Sequence, residues 1–81
     1  MAFNRVTISG IAGNTEVYHP LLSMAEVMLV KRDGKIRFET NDDAPVNKQF
    51  KHLVSDGKIR FDASLPFEAG LTEIVEVLFK F

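Results

Sequence analysis

Apolar and polar residues alternate in several short stretches of this chain, and a period of two is typical of β-strands that bury one face. The alternation is clearest in EVMLVKRDGKIRFET, residues 26–40. At its centre, Asp33-Gly34 fits a two-residue type I′ turn, in which both positions need positive φ. The stretch therefore predicts a β-hairpin. Its pairs, counted outwards from the turn, are Arg32 with Lys35, Lys31 with Ile36, Val30 with Arg37, Leu29 with Phe38, and Val27 with Thr40.

The same alternation predicts which side of this hairpin is buried. One face carries only apolar side chains, namely Val27, Leu29, Ile36 and Phe38. The other face carries four charged side chains and two apolar ones, namely Arg32, Lys35, Arg37, Glu39, Met28 and Val30. Because a shift by one residue would bury the charges, we expect the first face to line the core and the second to face solvent.

A second Asp-Gly pair, Asp56-Gly57, predicts a second hairpin. The words GKIRFET and GKIRFDA lie 23 residues apart, which we interpret as reuse of a good hairpin sequence and not as a duplicated domain. The predicted pairs are Val54 with Ile59, His52 with Phe61, Phe50 with Ala63, and Lys51 with Asp62. A three-residue loop that includes Ser55 is the alternative and would shift this register.

The remaining strands are predicted at the two ends of the chain. FNRVTIS, residues 3–9, and TEVY, residues 15–18, are the first two, and LTEIVEVLFKF, residues 71–81, is the last. In the last strand, Val75, Val77, Phe79 and Phe81 are expected in the core, with Ile74 and Leu78 on the opposite face. The segment LLSMA, residues 21–25, could form one helical turn or an apolar plug across the end of a sheet. We favour the plug because the segment is too short for a stable helix.

Seven short strands with turn signals about every ten residues predict an all-β fold. We expect a small antiparallel β-sandwich, Ig-like or jelly-roll-like, with a partly open β-barrel as the alternative. A chain of 81 residues is long enough for a single domain, residues 1–81, with a thin core. The absence of cysteine means that packing, and not disulfides, has to stabilise it.

Composition narrows the functional classes. Ten basic and eleven acidic residues give a net charge of −1, which argues against a protein that coats nucleic acid. No apolar run approaches the length of a membrane span, and the N-terminus lacks the pattern of a signal peptide. His19 and His52 have no metal-ligand spacing, the carboxylates form no calcium loop, and no serine lies in a nucleophile motif. The sequence therefore predicts no enzymatic activity, no metal and no cofactor.

Two surfaces remain as candidates for binding. The first is cationic and consists of Lys31, Arg32, Lys35, Arg37, Lys51, Lys58 and Arg60. Such a surface on a small OB-like barrel could bind single-stranded nucleic acid, but that function also needs exposed aromatic side chains. Because Phe38 and Phe61 are predicted to point inward, a solvated strand face is the favoured interpretation.

The second candidate surface is apolar and consists of Met28, Val30, Ile74 and Leu78, all predicted on outer faces. Covering such residues is a common reason for proteins to associate, so we expect a homo-oligomer or a stable complex. The alternative is that Leu21 and Leu22 cover the outer face of a central strand within one chain.

Two runs, VTISGIAGNTEVYHPLLSMAEVMLVKRDG and KQFKHLVSDGKIRFDASLPFEAGLTEIVEVLFKF, resemble small β-modules of virion proteins from tailed bacteriophages. The resemblance rests on the HP.L segment, the DGKI.F strand, the LPFEAG turn and the closing strand. It implies a structural or attachment role as a head decoration, fibre or tail-appendage subunit. The partner would be the protein itself or a larger virion protein, and the location the virion after synthesis in the host cytoplasm. A phage-encoded inhibitor of a host protein is a further alternative.

Overall fold

Alternating stretches of the sequence form seven β-strands in the computed structural model, which describes residues 3–68 and 73–80. The strands are β1 Phe3–Ser9, β2 Glu16–Tyr18, β3 Glu26–Arg32, β4 Lys35–Glu39, β5 Gln49–Leu53, β6 Lys58–Phe61 and β7 Ile74–Lys80. Two short 3₁₀ turns, Pro20–Ser23 and Val54–Asp56, are the only helical segments in those residues. The all-β prediction is confirmed.

The seven strands form one sheet in the order β1-β7-β3-β4-β5-β6-β2. Five of the six strand pairs are antiparallel, and only β4 with β5 is parallel. Strand β4 forms a corner, because its first three residues pair with β3 and its last two with β5. The sheet bends there until its edge strands β1 and β2 approach each other. The result is a nearly closed barrel, which fits both the small sandwich and the partly open barrel that the sequence predicts.

The first hairpin forms on the predicted turn. Asp33 and Gly34 have φ values of 56° and 76°. The three predicted pairs nearest the turn are confirmed, namely Arg32 with Lys35, Lys31 with Ile36, and Val30 with Arg37. The two outer pairs are wrong, because β3 and β4 separate at the corner. Leu29 lies opposite Leu78 of β7, and Phe38 lies opposite Gln49 of β5.

The predicted burial of this hairpin is confirmed for Val27 but wrong for the residues beyond Met28, and a β-bulge explains why. The pairing of β3 with β7 shifts between Val27 and Leu29, so one extra residue enters β3 at Met28. Val27 therefore packs against the core, and so does Val30, which is 0% exposed. Arg32 points inward with Val30 and is only 3% exposed. The side chains predicted to be inside the hairpin on β4 point outward instead.

The core is built mainly from β7, β6 and the elements packed on them. It consists of Val17, Leu22, Val30, Phe50, Ile59, Phe61, Phe67, Val75, Val77 and Phe79. The predicted alternation of β7 is confirmed for Val75, Val77 and Phe79, and Phe81 lies outside the described residues. Gly10 allows the closest packing, because a Cβ at that position would lie 2.4 Å from the ring of Phe67.

The second hairpin forms, but its predicted register is wrong by two residues. Phe50 lies opposite Phe61 and His52 opposite Ile59. The loop has four residues, because the second 3₁₀ turn ends at Gly57, whose φ of 62° is left-handed. A shift by two keeps Phe50, His52, Ile59 and Phe61 on one face, since the period of a strand is two. Val54, predicted to pair with Ile59, lies instead in the 3₁₀ turn and is exposed.

The segment after β2 is both a helical turn and a plug. Leu22 of the first 3₁₀ turn is fully buried in the core. The Nδ1 atom of His19 accepts a hydrogen bond from the backbone N–H of Leu21 at 3.1 Å. Nε2 of His52 lies 2.6 Å from the carbonyl oxygen of Leu22. The two histidines thus hold the turn that places Leu22 in the core.

Candidate interaction surfaces

The outer side of β7, β3 and the corner strand β4 carries four of the exposed large apolar side chains, Met28, Ile36, Phe38 and Ile74. Leu78 of β7 lies between Leu29 of β3 and Arg5 of β1. We call this surface the apolar face and define it as Met28, Leu29, Ile36, Phe38, Ile74 and Leu78. Phe38 is 62% exposed and Ile36 is 50% exposed. A regular sheet surface therefore presents an aromatic ring and a branched aliphatic side chain to solvent.

Charged side chains of both signs lie within the apolar face. Glu76 is opposite Lys31, and Arg5 is opposite Leu78. Together with Leu29 and Leu78 they line a shallow groove of about 100 Å³. None of the three charged side chains forms an ion pair with another residue in the part of the chain that the structure describes. Their charges are thus available for an external partner.

Three of the four residues predicted for an apolar interface lie on this face. Met28 at the bulge and Ile74 are exposed, and Leu78 is half-buried. The prediction for Val30 is wrong, because the bulge turns its side chain into the core. The sequence prediction also missed Leu29, Ile36 and Phe38, which it placed inside. The sequence contains an indication of this error. Residues 27–30, VMLV, are all apolar, so alternation does not define which face of that half of the strand is buried.

The outer side of β2, β6 and β5 has a different composition, and we call it the charged face. It is organised around Glu16, which accepts hydrogen bonds from Arg60 Nε at 2.9 Å and from the Tyr18 hydroxyl at 3.1 Å. The ammonium of Lys58 also lies 3.2 Å from a Glu16 carboxylate oxygen. Hydrogen bonding from Arg60 is the main reason why the pKa of Glu16 lies below its usual value. Lys51 lies 3.5 Å from Asp43 on the same face.

The seven cations predicted as a nucleic-acid surface do not form one surface. Lys51, Lys58 and Arg60 lie on the charged face and are paired with carboxylates. Lys31 lies on the apolar face, across from β7. The other three, Arg32, Lys35 and Arg37, lie around one end of the barrel. The bend of the sheet at β4 separates these groups.

The prediction that Arg32 lies on an outer cationic face is also wrong, because its side chain is buried. Its Nη2 atom lies 3.4 Å from a carboxylate oxygen of Glu73. Its guanidinium carbon lies 4.2 Å from the ring centroid of Phe67 and 5.2 Å from that of Phe61. A planar, weakly hydrated guanidinium is suited to such stacking, so Arg32 is part of the core.

The described residues include no group of three histidine, cysteine, aspartate or glutamate side chains close enough to hold a metal ion. Asp62, a carboxylate that directly follows β6, is engaged in the loop around it. It accepts hydrogen bonds from the backbone N–H groups of Ser64 and Asn47, and these bonds lower its pKa. In residues 3–68 and 73–80, the structure has no helix with the length and hydrophobicity required to cross a membrane.

No protein-family model, curated protein or solved structure matches the chain.

Proposed function

We propose that the protein is a non-catalytic structural or attachment module that works by protein–protein contact through its apolar face. The observation that supports this most directly is the exposure of Phe38 and Ile36 beside Leu29 and Leu78 on one side of the sheet. An apolar surface of this kind in a small protein commonly marks an interaction site. Burial contributes about 25 cal/mol per Å², of which association entropy and desolvation consume a large share.

The alternative of a cover within the same chain is not supported by the position of Leu21 and Leu22. Leu22 is buried in the core, and Leu21 packs against the same core from the first 3₁₀ turn. Both residues therefore act on the inner side of the sheet. Neither of these two residues covers the outer side of Leu29 and Leu78, and we propose that another molecule does so.

A second copy of the chain is the partner that the charges favour. The apolar groove is flanked by Arg5 and Lys31 on one hand and by Glu76 on the other. In a two-fold interface the same surface meets itself, so it needs charges of both signs. A larger virion protein with a complementary apolar strip is the other partner included in the proposal.

The setting comes from the resemblance of the sequence to β-modules of tailed-phage virions. We propose a place in the virion, as a decoration, fibre or tail-appendage subunit, reached after synthesis in the host cytoplasm. Mass spectrometry of purified particles tests this directly. Stoichiometric recovery of the chain with the particles is the expected result, and its recovery only from the infected-cell lysate would favour the inhibitor alternative.

Binding of single-stranded nucleic acid is the second candidate, and one observation favours it. Phe38 is exposed, contrary to the prediction, and can therefore stack on a base. The separation of the cations into three places argues against it. Retention on immobilised single-stranded DNA that decreases steeply with salt would support this candidate. A fixed oligomer in sedimentation without DNA supports the structural module.

A further inference from the structure

Arg37 of β4 is a cation for which the described residues supply no hydrogen-bond or ion-pair acceptor. It lies opposite Val30 and is half-buried at the end of the barrel. Its Nε atom is buried and has no hydrogen-bond partner, and it is the only buried side-chain nitrogen or oxygen atom in this condition among the described residues. No ion pair involves Arg37 in that part of the chain. A buried donor without a partner is costly, so its surroundings are informative.

The side chain of Arg37 lines a groove of about 230 Å³ whose charged residues are three cations and three carboxylates, namely Arg32, Lys35, Arg37, Asp33, Glu68 and Glu73. Glu73, on the same groove, is already bonded to other groups. One of its carboxylate oxygens lies 3.4 Å from Arg32 Nη2 and accepts the backbone N–H of Glu68 at 3.0 Å. Arg32 is fixed further by its contact with Phe67. The Glu73 carboxylate is thus bonded to Arg32 and to the Glu68 backbone, and among the described residues it forms no ion pair with Arg37.

The electrostatics of the groove follow from this arrangement. Burial and the nearby charge of Arg32 lower the pKa of Arg37, and the carboxylates of Glu73 and Asp33 only partly oppose that effect. Lys35 is exposed, lines the same groove, and lies two residues before Arg37 on the same side of β4. A negative group entering the groove would lie between these two cations.

We infer that this groove binds an oxyanion, a carboxylate or a phosphate group, between the guanidinium of Arg37 and the ammonium of Lys35. The planar fork of an arginine donates two parallel hydrogen bonds to either group. The lysine adds a mobile point charge that tolerates either geometry. Arg32 lies 3.4 Å from the Glu73 carboxylate, which forms no ion pair with Arg37 among the described residues. The inference does not depend on the proposed association through the apolar face.

The test uses the full chain and follows the Nε–H signal of each arginine by ¹⁵N NMR. Sodium phosphate, sodium acetate and sodium chloride are added in separate titrations at equal ionic strength. We expect the Arg37 signal to shift and to saturate with phosphate or acetate but not with chloride. Saturation with phosphate alone identifies a phosphate site, and saturation with acetate at least as strong identifies a carboxylate site.

Variants separate a specific site from a general effect of charge. Arg37→Gln should weaken binding of the probe anion by about tenfold or more, since it removes the charged donor. Lys35→Gln, at an exposed position, should weaken binding several-fold and also reports on the site if the Arg37 variant is unfolded. Arg5→Gln removes the same charge from β1 on the apolar face and should leave binding unchanged.

Three results would overturn the inference. The first is an equal shift of the Arg37 signal in chloride, which would indicate only a diffuse ion atmosphere. The second is a loss of binding in Arg5→Gln as large as that in Lys35→Gln. The third is the absence of saturation with both oxyanions in the folded parent protein.

Discussion

The two outer surfaces of this barrel belong to the same sheet but differ in whether their side chains have partners within the chain. On the charged face, Glu16 gathers Arg60, Lys58 and Tyr18 from neighbouring strands. On the apolar face, Lys31 and Glu76 are opposite each other yet form no ion pair among the described residues, and Phe38 is exposed. The cations of the charged face, by contrast, are paired with carboxylates of the same chain.

The difference shows where a partner is expected to bind. Both faces contain cations, so the number of positive charges does not distinguish them. What distinguishes them is whether each polar or apolar group already has a neighbour within the chain. Side chains that lack a partner within the chain therefore identify an interaction surface better than composition does. Surface ion pairs by themselves contribute little to stability.

The largest expected effect is on association. Replacing Ile36 and Phe38 by lysine puts two charges at the most exposed positions of the apolar face. If this face binds a second copy, the double variant should weaken self-association by about 100-fold, since central apolar contacts carry most of the energy of an interface. Analytical ultracentrifugation of both proteins measures the change.

The matched control adds the same two charges at the other side of the barrel. Leu53→Lys and Val54→Lys, at the end of β5 and in the second 3₁₀ turn, should leave association as it is in the parent. A parent that is monomeric at high concentration contradicts self-association. Equal weakening by both double variants would show that charge alone, and not the position on the apolar face, controls association.

The next effect concerns the hairpins that form the two faces. Both contain Asp-Gly, but Asp33 has a φ of 56°, whereas only the glycine of the second pair has positive φ. Asp33→Val should destabilise the protein by about 1–2 kcal/mol, because a β-branched residue is strained at positive φ. Asp56→Val should change the free energy of unfolding by about 0.5 kcal/mol or less. Urea denaturation of the two variants measures the difference, and equal losses would contradict the observed turn geometry.

The same comparison shows which part of the fold is readable from sequence. The turn at Asp33-Gly34 depends on local chemistry, so its three nearest pairs are predicted correctly. The regular alternation of β7 likewise predicts the burial of Val75 and Val77. These features need no knowledge of distant strands.

The errors arise where distant parts of the chain decide the structure. The bulge at Met28 is set by the pairing of β3 with β7, which are far apart in sequence. That single extra residue reverses the predicted burial of Val30 and Ile36. Val30 lies in the core and Ile36 lies on the surface. Phe38 lies two residues after Ile36 on the same face of β4 and is exposed with it. The pairing of β4 with β5 is also a long-range event. The existence of an apolar face was therefore predictable, but half of its members were not.

A smaller effect is expected from Glu16, the centre of the charged face. Glu16→Gln keeps the shape of the side chain but removes the charge that Arg60 and Lys58 share. Because the group is near the surface, we expect a loss of up to about 1 kcal/mol in the free energy of unfolding. Glu76→Gln is the matched control on the apolar face, where no ion pair is lost. Equal effects of the two variants would contradict the contrast between the faces.

The smallest expected effect is the pH dependence of that same group. Hydrogen bonds from Arg60 lower the pKa of Glu16 in the folded protein from the ordinary value of 4.5. A carboxyl group with a lowered pKa contributes stability above its unfolded pKa, and the contribution disappears as the pH falls through the folded pKa.

The difference in stability between the parent and Glu16→Gln should therefore be constant near neutral pH, begin to decrease as the pH falls to about 4.5, and vanish only below the lowered pKa of the folded state. Asp62, whose pKa is also lowered, remains in both proteins and cancels in this difference. Urea denaturation of both proteins at a series of pH values provides the measurement. A difference that persists undiminished in acid would mean that the shape of the glutamate, and not its charge, stabilises the charged face.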